Sequence, residues 1–205
     1  MSRLIAAVMV SLDGVMQAPG GPEEDTSGGF AHGGWVWPYA GEDEAMDGLF
    51  TQPFALLLGR RTYDIFAGYW PQVPGDAPHG GIAAAFNGAT KYVATHRPDT
   101  LAWRHSHALG ADVASAVRAL KHRDGPDLVT QGSSGLLHQL FATDLVDELR
   151  LLVYPVLLGR GKRLFDDGTQ ASAFRLASSR STAAGVVISR YVRDGEVRTG
   201  SFAGD

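Results

Sequence analysis

Two periodicities alternate along the chain. Leu4–Val10 is a continuous apolar run rich in branched residues, stopped by Ser11-Leu12-Asp13-Gly14. Such a run predicts a strand buried on both faces and closed by a turn. Phe54–Leu58, Lys91–Thr95 and Leu128–Thr130 read as shorter strands, and Val146–Leu158 as a long one interrupted at Pro155. Between them the apolar spacing becomes helical, in Glu42–Phe50, Thr62–Phe66, Ala111–His122 and Leu136–Phe141, with room for a turn or two in Ile82–Asn87. Phe174–Ser179 and Val186–Val192, separated by Thr182-Ala183-Ala184-Gly185, predict a closing β-hairpin. Strands alternating with helices and ending in a hairpin predict an α/β fold. Its central sheet is mostly parallel, with helices on both faces and an antiparallel C-terminal hairpin. A long Gly- and Pro-rich loop at 17–41 contains Trp35, Trp37 and Tyr39, and a second such loop spans 68–81. Long loops inside compact domains are usually functional or disordered, and the aromatics argue against simple disorder.

Composition narrows the function classes. The 205 residues are 44% hydrophobic and 20% charged, an ordinary globular balance that predicts one domain spanning 1–205. There is no cysteine, which excludes disulfides, thiolate metal sites and a thiol nucleophile. A formal net charge of −4 gives no reason to expect nucleic acid or an acidic membrane as partner. No apolar run is long enough for a membrane span. Arg3 and the run after it imitate a short signal peptide, but Asp13 interrupts it and no small-residue cleavage site follows, so a cytoplasmic location is expected.

In open α/β sheets, ligands bind beyond the carboxyl ends of the strands, where helix N-termini point outward. Gly59-Arg60-Arg61-Thr62 follows one predicted strand. Glycine admits close approach, Thr62 can cap the next helix, and two arginines offer charge-assisted donors to phosphate. A plain helix cap with two solvated arginines accounts for the same residues equally well. Gly132-Ser133-Ser134-Gly135 follows another strand, and free amides with hydroxyls at a helix start make an anion site, although an ordinary capped turn has the same residues. Two such junctions together can clasp one pyrophosphate, and Arg97, after a third strand, can meet the further phosphate that distinguishes NADPH from NADH. The common dinucleotide fingerprint, the Walker A loop and the G-x-S-x-G elbow are all missing. His105 and His107 would share one side of a strand, but no further ligands are evident, so no metal is expected. Arg160, Lys162 and Arg163 read as a solvated turn or a phosphate site.

The motifs Leu4-Ile5-Ala6-Ala7, Leu58-Gly59-Arg60-Arg61-Thr62 and Gln131-Gly132-Ser133-Ser134-Gly135 stand in the order and spacing of dihydrofolate reductases. Ser11-Leu12-Asp13-Gly14 and Pro155-Val156-Leu157-Leu158-Gly159-Arg160-Gly161 are more similar to the C-terminal reductase domain of the bifunctional riboflavin enzyme RibD. Over residues 3–193 the chain resembles stand-alone proteins of this superfamily. The resemblance implies a dihydrofolate reductase-like fold and an NADPH-dependent oxidoreductase. Ala6 and Ala7 would lie against the nicotinamide. Gly59, Arg60, Arg61 and Thr62 would hold the pyrophosphate and an adenosine-side phosphate, and Gly132, Ser133, Ser134, Gly135 and Leu136 would bind the pyrophosphate from the second helix. Thr95, His96 and Arg97 would form the adenosine pocket and contact the 2′-phosphate. Asp43, with Glu44 and Asp47 close by, would hold the substrate's ring nitrogens and assist protonation, unless these acids merely favour a helix N-terminus. Asp13 would contact the substrate or position its turn, and Trp35 and Trp37 would wall the substrate pocket or anchor the loop. The reaction implied is hydride transfer to a C=N or C=O carbon of a small pterin-, pyrimidine- or ribosylamine-like molecule. Reduction of 5-amino-6-(5-phosphoribosylamino)uracil, true dihydrofolate reduction and non-catalytic dinucleotide binding are the alternatives. A homodimer is expected by the same resemblance, and Arg150 with the apolar strand Leu151–Leu158 after it can form a subunit interface.

Overall fold

The computed structural model describes residues 1–40 and 48–202. The acids 42–44 and Asp47, Asp43 among them, lie outside the described residues. Strands β1 (Leu4–Ser11), β2 (Phe54–Gly59), β3 (Thr90–Ala94), β4 (Ser106–Ala108), β5 (Asp127–Gln131), β6 (Glu148–Tyr154), β7 (Phe174–Ser181) and β8 (Val187–Arg193) form one sheet in the order β4-β3-β2-β5-β1-β6-β8-β7. The first six run parallel; β8 is antiparallel to β6 and pairs with β7 as the hairpin.

Helices α1 (Arg60–Tyr69), α2 (Gly80–Gly88), α3 (Val113–Lys121) and α4 (Ser134–Ala142) fall on both faces. The alternation of strand side chains builds two cores. One joins Ala7, Leu56, Leu58 and Val129 to Tyr63 of α1 and Phe86 of α2. The other joins Ala6, Ala55, Leu57 and Leu128 to Val117 of α3 and Leu137 and Leu140 of α4. Among the described residues no helix is long and apolar enough to cross a membrane.

Several sequence expectations need correction. Helix α1 runs from Arg60 to Tyr69, longer at both ends than Thr62–Phe66, and its N-cap is Gly59 rather than Thr62. Strand β6 stops at Tyr154 instead of Leu158. Pro155 has no N–H to continue a ladder, and Val156 turns its carbonyl to the Leu12 amide at 2.9 Å. The edge strand β4 is three residues long, too short to declare itself by pattern, and exists because β3 supplies its pairing.

At the amino end of the sheet Glu148 is only 1% exposed. Arg3, Arg150 and Arg190 contact its carboxylate at 3.1, 2.8 and 2.8 Å and so tie β1, β6 and β8 together. Burial opposes its charge, but hydrogen bonds from Arg190 and Arg150 outweigh that and hold its pKa below the ordinary value.

Candidate functional site

Strands β2 and β5 are neighbours, yet the chain leaves them in opposite directions. From β2 it passes through α1 toward β3, and from β5 through α4 toward β6. Right-handed crossovers then put the two helices on opposite faces, as the two cores show. The carboxyl ends of β2 and β5 therefore flank a topological switch point, where open α/β sheets form a ligand crevice.

The two strand-to-helix corners touch at that point. The Gly59 amide donates to Ser133 Oγ at 2.9 Å. A methyl group on Gly59 would lie 3.4 Å from Ser133 Cβ, and one on Gly132 would lie 3.8 Å from Thr62. Gly132 and Ser133 both have left-handed backbone, φ 72° and 66°, which swings the chain sharply from β5 into α4. Ser133 is the N-cap of α4, but its hydroxyl serves the neighbouring corner instead of its own helix. The opening amides of α4, at Ser134 and Gly135, and those of α1, at Arg60 and Arg61, have no acceptor within their own helices. Both helices thus present open donors and the positive ends of their dipoles beside one seam.

Around this seam the arginines take different parts. Arg60 is engaged within the protein, its guanidinium held by Asp64 at 2.8 Å, Thr100 Oγ1 at 2.6 Å and the Arg97 carbonyl at 3.2 Å. It fastens the segment carrying Thr95, His96 and Arg97 to the start of α1. Thr95 Oγ1 accepts the Arg97 amide at 3.0 Å, while His96 and Arg97 are exposed. Among the described residues the Arg97 guanidinium has only a distant pairing with Asp64, at 3.8 Å. Arg61, more than half exposed, pairs with Asp25 at 2.9 Å.

Ala6 and Ala7 are fully buried in the central strand, with side chains on opposite faces, so a ring lying on one face meets only one of them. Ala7 stands in register with Gln131, whose Oε1 is buried and has no hydrogen-bond partner among the described residues. Leu136 is buried in the core below α4.

Of the two loop tryptophans, Trp35 is held in the core and Trp37 lies at the surface. Trp35 is 7% exposed, packs edge-on against Tyr154 with ring centroids 5.3 Å apart, and donates its indole N–H to the Gln17 carbonyl at 2.8 Å. Trp37 is 80% exposed. Asp13 accepts from Ser11 Oγ at 2.6 Å and from the Leu158 and Gly159 amides at 3.1 and 2.7 Å. The Ser11 hydroxyl first, then those amides, stabilise the carboxylate and lower its pKa to about 2. Asp13 is therefore an ionised fastener between the 11–14 turn and the segment after β6.

Sequence reasoning overlooked Asp25, Gln17 and Gln131. Gln131 opens a motif that drew notice for its other residues, and only its unmatched oxygen marks it. Asp25 and Gln17 belong to no motif. The Gln17 amide donates to the Asp25 and Ser27 carbonyls at 3.0 and 2.9 Å, and its Oε1 accepts the Lys162 amide at 3.0 Å.

A dinucleotide fits these residues on three counts. The corners approach closely because Gly59 and Gly132 lack side chains, the helix-opening amides suit a diphosphate, and Gln131 leaves a buried acceptor unmatched for a ligand N–H.

Comparison with known proteins shows the family and the fold. The chain is 25% identical over 185 residues to YyaP of Bacillus subtilis, covering 90% of this chain and 92% of that protein. It is 24% identical to YwjB of the same organism, covering 93% and 98%. A structure from Shewanella sp. PV-4, assigned to riboflavin biosynthesis, superposes with a TM-score of 0.68 at 17% identity over 94% of this chain and 99% of the other. Dihydrofolate reductase from Enterococcus faecalis, solved with NADP(H), gives 0.59 at 16% identity over 94% and 96%. Those two structural likenesses establish a dihydrofolate reductase-like fold. The model of the RibD C-terminal domain matches residues 2–188, so the chain belongs to the RibD C-terminal domain family.

Proposed function

We propose that the chain is an NADPH-dependent reductase that delivers hydride to a C=N or C=O carbon of a small pterin-, pyrimidine- or ribosylamine-like substrate. The observation that carries this reading is the direct contact of two strand-to-helix corners at the switch point, through Gly59 and Ser133. When bound, the reduced nicotinamide supplies the hydride. The chain's own residues bind and orient. The opening amides of α1 and α4 receive the diphosphate, and the exposed Arg97 takes the 2′-phosphate. Gln131 accepts an N–H of the ligand beside Ala7, and Asp13 keeps the turn after β1 in place. Asp43 is the proton-handling group in this reading. Membership of the family, and the Shewanella relative, favour reduction of a ribosylaminopyrimidine phosphate as the specific reaction. A cytoplasmic homodimer completes the proposal.

The test is NADPH oxidation across a panel of pyrimidines, pterins, imines and carbonyls, run with wild type and Arg97→Ala. Turnover is expected with at least one heterocyclic acceptor. Arg97→Ala should weaken NADPH about tenfold, or about 1.4 kcal/mol, and leave NADH nearly unchanged. Equal loss for both dinucleotides removes the 2′-phosphate assignment. Binding without oxidation across the panel favours a non-catalytic dinucleotide-binding protein.

A further inference from the structure

Asp25 sits in the Gly-rich loop and is 8% exposed, yet it is charged on several sides. Lys162 Nζ contacts its Oδ2 at 2.5 Å, and Arg61 pairs with its Oδ1 at 2.9 Å. The hydroxyl and amide of Ser27 donate to the same Oδ1 at 2.6 and 3.1 Å. Burial works against the charge, but the Lys162 and Ser27 hydrogen bonds overcome it and keep the pKa below its ordinary value. One buried carboxylate thus joins three separate segments: the loop after β1, the turn after β6 and the first turn of α1.

Arg61 is the only one of these partners at a proposed cofactor corner. Asp25 engages its NH1, and the remaining N–H groups have no partner among the described residues. A guanidinium has five donors in a rigid fork, so it can hold a carboxylate on one side and a phosphate on the other. We infer that Asp25 is a positioning residue that aims Arg61 at the dinucleotide's diphosphate and so couples the seating of the loop to cofactor binding. The inference rests on the NADPH reading above. It makes a prediction opposite to simple charge repulsion. Removing a carboxylate near an anion should tighten binding through space, whereas removing the group that aims Arg61 should weaken it.

The experiment is a double-mutant cycle on NADPH affinity with Asp25→Asn and Arg61→Ala, read by calorimetry. Asp25→Asn is expected to weaken NADPH about tenfold when Arg61 is present, and less than about twofold in the Arg61→Ala background. A loop that is merely destabilised would lose affinity by the same factor in both backgrounds, and that result overturns the inference, as does unchanged or tighter binding by Asp25→Asn. Arg61→Lys carries the test if Asp25→Asn does not fold. An ammonium has three N–H donors but presents them from one atom, without the planar fork that reaches a carboxylate and a phosphate on opposite sides, so Arg61→Lys should bind NADPH more weakly than wild type; wild-type affinity for Arg61→Lys refutes the bridging role. If wild type binds NADPH and Arg61→Ala does so equally well, this inference fails alone. If wild type binds no NADPH, the reductase reading fails with it.

Discussion

Ser133 offers a perturbation whose effects on stability and on binding separate. Its hydroxyl accepts the Gly59 amide at 2.9 Å, and its own backbone sits at φ 66°, ψ 56°. Ser133→Ala deletes the acceptor and keeps the left-handed backbone. An amide left without a partner in a partly buried place costs about 1–3 kcal/mol, so the alanine variant should lose roughly that amount. Ser133→Gly deletes the same acceptor but relieves the left-handed strain of about 1–2 kcal/mol, partly offset by the greater freedom of glycine in the unfolded chain. The glycine variant should therefore be about 1 kcal/mol more stable than the alanine variant. Both variants lose the tie between the corners, so both should bind NADPH about tenfold more weakly, regardless of their difference in stability. Urea unfolding gives the first quantity and calorimetric titration the second. An alanine variant that unfolds with wild-type stability and binds NADPH with wild-type affinity would refute the reasoning. An affinity loss that follows stability would refute its binding half.

Two further perturbations test the scaffold. Gly161 has φ 130°, and a methyl group there would lie 2.6 Å from Val15 Cγ1 and 3.0 Å from the Phe30 ring, so Gly161→Ala should cost about 2–4 kcal/mol by urea unfolding. An unchanged midpoint would show that the 159–163 turn yields freely. Burial lowers the pKa of the Lys91 ammonium from 10.5 to about 8, and no carboxylate faces it among the described residues: its partners are the Asn87 and Arg104 carbonyls and the Trp103 ring. Between pH 8 and 10.5 the unfolded chain therefore holds more protons than the folded one, and stability relative to Lys91→Met should rise with pH, by at most about 3 kcal/mol. A stability difference that is flat across that window contradicts the assignment.

Much of the fold was legible because its signals are local. The continuous apolar run at β1, the two segments and intervening turn of the β7–β8 hairpin, and the three-and-four spacing of α3 each depend on neighbours in sequence. Both corners were legible for the same reason, since Gly59-Arg60 and Gly132-Ser133 each interrupt a strand with small or charged residues. Their contact was not legible. It depends on β2 and β5 being adjacent while their helices leave to opposite faces, a property of the whole topology. The arginines show a similar limit. Sequence places Arg60 and Arg61 side by side, but Thr100 and Asp64 hold one of them and Asp25 holds the other. Asp25 itself sits in a loop without periodicity, and its partners are distant in sequence. Asp13 was legible as a turn residue, whereas the Leu158 and Gly159 amides that claim its oxygens come from the far end of the chain.

A crystal structure with NADPH bound tests the central claim most directly. The account predicts the diphosphate at the seam between Gly59 and Ser133, within hydrogen-bonding distance of the opening amides of both α1 and α4. Density for the diphosphate at any other place, or contact with one of those helices alone, would contradict it.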